Sequence, residues 1–373
     1  LYSRQITGTL QQGSDMENTF TRTTLNIHRR LALEANPVSI AELADGGYLL
    51  NFNKDPHVIR VDKDLQFVWK KDLQGQTEDY VNCTVTASPD GRWMALSCSE
   101  TIRILDTDGN LQWTFPHEGW EKFLGSSCTF SADGQLIWFI VPASSALEND
   151  ILYVVRLSDY RVQDTWMMDG NQQFNYLIHP TPNDAAVLVE AAAGQEDSVL
   201  YRATFVDGKI KCEVIEAVNN RIVGTFAPDG KEFVTVPNTD DGIVVYSYPD
   251  VKAIATLEQE DLFAGRTEYL SEEDTDSLDF VVLYVSNKIL LAFSRFGRLL
   301  LIDRRKMQCI GELIPEGCEI RAYDMAGRPT HDSSHIVDYG GEIVTLCVNK
   351  QRQLLLTHNS GEVRLYDLPE DLF

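Results

Sequence analysis

The run Thr84-Val85-Thr86-Ala87-Ser88-Pro89-Asp90-Gly91 decides the fold, together with Arg92-Trp93-Met94-Ala95-Leu96-Ser97 and Thr101-Ile102-Arg103-Ile104-Leu105-Asp106. Three apolar, strand-length segments follow one another, and the first two are separated by Asp-Gly. Such a dipeptide between apolar strands predicts a hairpin, with a type I′ turn whose two central residues both take positive φ. The segments are apolar on both faces, as in a sheet covered on both sides.

The theme recurs in both directions along the chain. Ala44-Asp45-Gly46-Gly47 precedes residues 58–62, Ser131-Ala132-Asp133-Gly134 precedes 151–157, and Phe226-Ala227-Pro228-Asp229-Gly230 precedes 243–248. Three weaker copies turn at Pro182-Asn183-Asp184, Ser286-Asn287-Lys288 and Asn349-Lys350-Gln351. The turn positions 46, 91, 134, 184 and 230 lie 43 to 50 residues apart, and the last two intervals, to 288 and 351, are 58 and 63. A period of that size suits a four-stranded blade. The expectation is an all-β, seven-bladed β-propeller over residues 1–373, with loop insertions at 258–279 and 315–342. Only residues 261–277 offer a helix of useful length. The last repeat ends after its third strand, so residues 1–37 are expected to close the ring: 23–28 or 30–34 would supply the missing outer strand and protect an open edge.

Ser88-Pro89-Asp90-Gly91 and the strand ends Arg103-Ile104-Leu105-Asp106 and Arg364-Leu365-Tyr366-Asp367 resemble the WD40-like β-propellers. No repeat opens on Gly-His and no third strand closes on Trp-Asp. Asp108-Gly109-Asn110-Leu111-Gln112-Trp113 and Lys63-Asp64-Leu65-Gln66-Phe67-Val68-Trp69 resemble quinoprotein-type propeller repeats instead. The WD40-like resemblance implies an interaction platform and no specific chemistry.

The chain carries 32 basic and 56 acidic residues, a formal charge of −24. That balance argues against nucleic acid and anionic membrane as partners. No apolar run approaches the ~18 residues of a membrane span. Arg304-Arg305-Lys306 is the longest basic run and reads as a solvated turn, so no local basic patch is expected. Seven scattered cysteines without a Cys-x-x-Cys pair suit a reducing, cytoplasmic setting.

Chemical motifs are sparse. Asp106-Thr107-Asp108-Gly109-Asn110 has its glycine too early for an EF-hand and reads as a hairpin turn. His331-Asp332-Ser333-Ser334-His335 sits among Gly327, Pro329 and Gly340-Gly341, which favours a loop over a metal-binding helix face. No nucleophile elbow, dinucleotide fingerprint or phosphate loop occurs. The expectation is therefore no metal, no cofactor and no catalytic residues. A non-enzymatic, monomeric protein-interaction scaffold is favoured over the alternative, an enzyme or small-ligand sensor using the central channel.

Two features suggest where a protein partner docks. Trp120 lies in a connection between repeats, and tryptophan is enriched at binding hot spots. Residues 258–279 hold nine acids and one base, a net −8, around Leu262, Phe263, Tyr269 and Leu270. Glu272, Glu273 and Asp274 with those apolar groups would suit a basic partner.

Overall fold

A strand that is apolar on both faces is stable only between two other layers. The repeats meet this demand by stacking. The computed structural model describes residues 20–52, 57–72, 84–120, 124–143, 149–168, 175–182, 184–193, 197–237, 242–264, 276–295, 297–318 and 343–373, with three short strands between 321 and 338. They form a seven-bladed β-propeller. Each blade is an antiparallel meander from an innermost to an outermost strand. Blade one runs from Pro37–Glu42 to Phe67–Asp72, blade two from Thr84–Ala87 to Leu111–Pro116, and blade three from Cys128–Phe130 to Arg161–Met167. Blade four runs from Asn175–Pro180 to Lys209–Val214, blade five from Arg221–Phe226 to Ala253–Leu257, and blade six from Leu278–Tyr284 to Gln308–Pro315. Blade seven begins at Ile343–Val348, and its third strand is Glu362–Asp367.

The core is divided among the interfaces. Seven buried apolar clusters are found among the described residues, and each joins two successive blades. Blades seven and one meet through Tyr48, Leu50 and Ile59 against Leu355, Val363 and Leu365. The innermost strands tie neighbouring blades by a second device. Apart from Asn175–Pro180, whose inward edge pairs in parallel with the two-residue strand Gly125–Ser126, their inward edge has no strand partner among the described residues, and side chains of the preceding blade accept its N–H groups. Ser39 Oγ takes Val85 N–H at 3.2 Å, Ser127 Oγ takes Ile178 N–H at 2.6 Å, and Thr225 Oγ1 takes Tyr284 N–H at 2.7 Å. Between blades four and five the acceptor is buried Glu190, 2.9 Å from Val223 N–H.

Ring closure is by the N-terminal region, as expected, but with different boundaries. Ile27–Ala32 pairs antiparallel with Glu362–Asp367 and completes blade seven, Leu31 lying opposite Val363. Just upstream, Thr21–Leu25 pairs parallel with Gln308–Pro315 as a fifth strand of blade six. Only Asn26 separates the two strands. Glu316 holds the crossing, donating its N–H to Leu25 O at 2.8 Å and accepting Ile27 N–H at 2.9 Å.

The hairpin turns form where expected but are not type I′. At Ser88–Gly91 only Gly91 has positive φ, +71°. Side chains shape the rest: Ser88 Oγ donates to Asp90 Oδ1 at 2.7 Å and accepts Trp93 N–H, while Asp90 Oδ1 accepts Arg92 N–H. An Asx-type bond substitutes for the second left-handed residue. The I′ pattern occurs instead at Asp207-Gly208, where both φ values are positive. In the stretch that could hold a helix, 261–277, the structure has only the start of one, in the short helix Gln259–Phe263, and residues 265–275 lie outside the described residues. The 315–342 insertion is more than a loop, since Arg321–Tyr323, Pro329–Thr330 and Ile336–Asp338 form a small separate sheet. His331 and His335 lie outside the described residues.

A chain beginning at Val38 loses both N-terminal strands and exposes the edges of blades six and seven. Its melting temperature is expected to fall by about 10 °C or more, with aggregation. Scanning calorimetry and size-exclusion chromatography check this. An unchanged, monomeric transition would mean that the ring does not depend on residues 20–37.

Candidate functional site

Every blade has the same orientation, so the turns joining first and second strands lie on one face of the ring. On that face a cavity of about 520 Å³ opens between the turns of blades five, six and seven. Val285, Val348 and Phe373 give it apolar walls, and Lys288, Lys350 and Arg352 bring three cations. All three cationic side chains are exposed. No acidic side chain is among the lining residues. Just outside the lining, Glu42 accepts Lys350 N–H at 3.1 Å. Burial pushes the Glu42 pKa up, while the Lys350 N–H and charge pull it down.

The turns that present these cations are rigidly held. Asn349 is buried; its Nδ2 donates to Tyr48 Oη of blade one at 2.6 Å and to Gln353 Oε1 at 3.1 Å, and its Oδ1 accepts Gln353 N–H at 2.8 Å. In blade six Ser286 Oγ accepts Lys288 N–H and donates to Leu372 O at 2.6 Å. Asn287 Oδ1 accepts Asp229 N–H from the turn of blade five. The segment after the last strand crosses this face: Lys288 Nζ donates to Phe373 O at 2.8 Å, and the Arg352 guanidinium lies 4.7 Å from the Phe373 ring centroid. At the back of the cavity Tyr284 Oη donates to Glu232 Oε1 at 2.7 Å, and Arg304 engages both oxygens of Glu232 at 2.8 and 2.7 Å. Burial, then donation to Glu232, raises the Tyr284 pKa, so the phenol stays protonated.

The basic run at Arg304 is therefore only half a solvated turn: Arg305 and Lys306 are exposed, but Arg304 ties blade six to blade five. The expectation of no local basic patch is corrected by the cavity. A signal for it was present. In the last two repeats the Asp-Gly turn is replaced by Asn287-Lys288 and Asn349-Lys350, and equivalent turns of adjacent blades are neighbours in space.

The residues picked from sequence are not brought together. Trp120 is 8% exposed and packs in the core of blades three and four, its ring 6.1 Å from Tyr176. It is a core residue, not a surface anchor. Leu262 is 1% exposed, and Phe263 packs against the same cluster between blades five and six. These two root the acidic insertion in the ring; Leu262 is a core residue and not an exposed anchor, while Phe263 is half-buried. Asp276 is also buried, 3.5 Å from Arg298, and is not part of an acidic surface. Tyr269, Glu272, Glu273 and Asp274 lie outside the described residues. Asp106 is a turn residue: its Oδ1 accepts the N–H groups of Asp108 and Asn110 at 3.0 and 2.9 Å. Among the described residues no group of three or more His, Cys, Asp or Glu is placed to hold a metal, and no helix is long and apolar enough to cross a membrane.

On the opposite face His358 is 1% exposed, and neither ring nitrogen has a hydrogen-bond partner among the described residues. Burial, reinforced by the Arg364 charge and opposed by Glu362, pulls its pKa down to about 4. No family model matches the chain, and no curated protein matches it in sequence.

Two outcomes are expected. Asn349→Ala leaves the buried Tyr48 hydroxyl without its donor and should cost about 1–3 kcal/mol in chemical denaturation. His358 is neutral in both states above its ordinary pKa near 6.5; below that the unfolded chain gains a proton that the folded one refuses. Stability from this residue is therefore lost as pH falls towards 4, by about 2 kcal/mol between roughly pH 7 and 5. His358→Leu should flatten that part of the urea-measured pH profile; an unchanged slope would place the titration elsewhere.

Proposed function

We propose that this chain is a non-enzymatic protein-interaction platform whose docking surface is the hairpin-turn face around the cavity. One observation carries this reading: a strongly acidic chain gathers three cationic side chains, from the turns of two adjacent blades, around an apolar-walled cavity. The hydroxyl groups in the lining suit binding rather than chemistry. Ser286 is committed to Leu372 O, and Tyr284 is held protonated beside Glu232. Charge at the rim of a surface cavity steers encounter and sets specificity. Exposed Glu258, Glu260 and Asp261, at the root of the acidic insertion, would repel an acidic partner there and attract a basic one.

A small-ligand sensor is the second reading, because about 520 Å³ lies within the range of small-molecule sites. Site-specific photo-cross-linking separates the two. A photoreactive residue at Asn287 should give a discrete protein adduct in native lysate. The same group at Thr165, exposed on the outer strand of blade three, should not. No discrete adduct at Asn287, or equal labelling at both positions, would remove the platform reading for this face.

A further inference from the structure

We propose that the cavity on the hairpin-turn face binds an acidic, carboxylate-rich peptide segment of a partner protein, with one aliphatic or aromatic side chain seated between Val285, Val348 and Phe373. This deepens the platform reading and rests on it.

The argument starts from charge. Lysines and arginines elsewhere in this acidic chain commonly have a carboxylate partner: Arg60 with Asp45, Arg156 with Asp159, Arg202 with Asp184, Lys209 with Asp164 and Arg304 with Glu232. Lys350 and Arg352 form no ion pair among the described residues, while Lys288 Nζ is engaged by an oxygen of Phe373 at 2.8 Å. Arg352 has an aromatic ring. The charge carried by the lining side chains themselves is positive, with Glu42 bonded to Lys350 N–H at its edge. It faces the same opening as the apolar walls, so an occupant that satisfies both must carry negative charge around an apolar group.

The backbone decides between dispersed carboxylates and one concentrated phosphate. Phosphate sites at turns use a cradle of free N–H groups. Here the N–H groups of Val285, Ser286, Lys288, Asn349, Lys350 and Arg352 are all donated within the protein. What remains to meet an anion is the single N–H of Asn287, which makes no cradle by itself, and three long side chains from two turns, which can meet separate carboxylates along a peptide.

A fluorescent peptide of about twelve residues, rich in Glu and Asp around a central Leu, provides the test against a Gln/Asn control of the same length, followed by anisotropy. The acidic peptide should bind more tightly, and more weakly in about 300 mM than in about 50 mM salt. The triple variant Lys288→Gln, Lys350→Gln, Arg352→Gln keeps the aliphatic stems and should weaken binding about tenfold. Lys350→Gln alone leaves both Phe373 contacts in place and should weaken it by a smaller factor at unchanged melting temperature. Equal binding of acidic and neutral peptides, or unchanged affinity in the triple variant, would overturn the proposal. So would displacement by inorganic phosphate at matched ionic strength, which would mark a small-anion site. If any of these occurs while the Asn287 cross-link persists, the acidic occupant is wrong and the platform reading stands. If the cross-link is absent as well, both fall.

Discussion

The pairing of Ile27–Ala32 with Glu362–Asp367 is the contact on which the rest depends. A blade is a sheet with two apolar faces, and each face is buried only by a neighbour. Six of the seven inter-blade cores form between segments adjacent in sequence. The seventh, between Tyr48, Leu50, Leu355 and Val363, exists only if the two ends of the chain share a blade. Closure therefore converts a linear stack with two exposed faces into a ring with none. Closure of so long a loop is entropically unfavourable, but the penalty grows only logarithmically with length. One more buried interface outweighs it.

The N-terminal region does more than close the ring. By placing Thr21–Leu25 on blade six and Ile27–Ala32 on blade seven, it clamps both sides of the interface next to the closure. The clamp reaches into an ionic cluster. Arg22 contacts Glu312, Glu312 contacts Arg298 at 3.3 Å, and Arg298 lies 3.5 Å from Asp276; the last three side chains are nearly inaccessible. Buried ion pairs add little net stability against an apolar alternative, but losing one member leaves a costly uncompensated charge. Their effect here is on register. Thr21–Leu25 can slide along Gln308–Pro315 only by abandoning Glu312.

Much of the fold was legible because turn chemistry is local. Ser88, Asp90 and Gly91 build a turn from side chains within five residues, so each copy announces itself wherever it falls. Among the described residues the turns fall at the positions read from sequence. The closing strand was legible by counting but not by pattern: residues 21–32 are too polar for alternation to define a boundary, and the switch at Asn26 is set by Glu316, nearly three hundred residues away. The burial of Trp120 is illegible for a related reason. It lies in a connection, yet that connection passes over the interface of blades three and four, where an indole fills space. The cavity is not legible in the order of charges along the chain. Lys288 and Lys350 are far apart in sequence and adjacent in the ring.

The cavity also shows how such a ring can carry function without straining its fold. The turn requires one acceptor to cap the start of the second strand and one residue able to take positive φ. In blade seven Asn349 Oδ1 caps Gln353, as Asp90 caps Arg92 in blade two, and Arg352 takes positive φ at 64°. In blade six Ser286 takes over the capping. Once these demands are met, Lys350 and the aliphatic stem of Lys288 are under no folding constraint, and their charge is free to serve a contact. Blade five keeps Asp229-Gly230, with Lys231 paired to Asp229 at 3.4 Å, so its turn adds no free cation. The positive charge therefore begins where the Asp-Gly turns end, at blades six and seven. Those are the two blades that the N-terminal strands hold together, which places the variable surface on the part of the ring most firmly fixed in position.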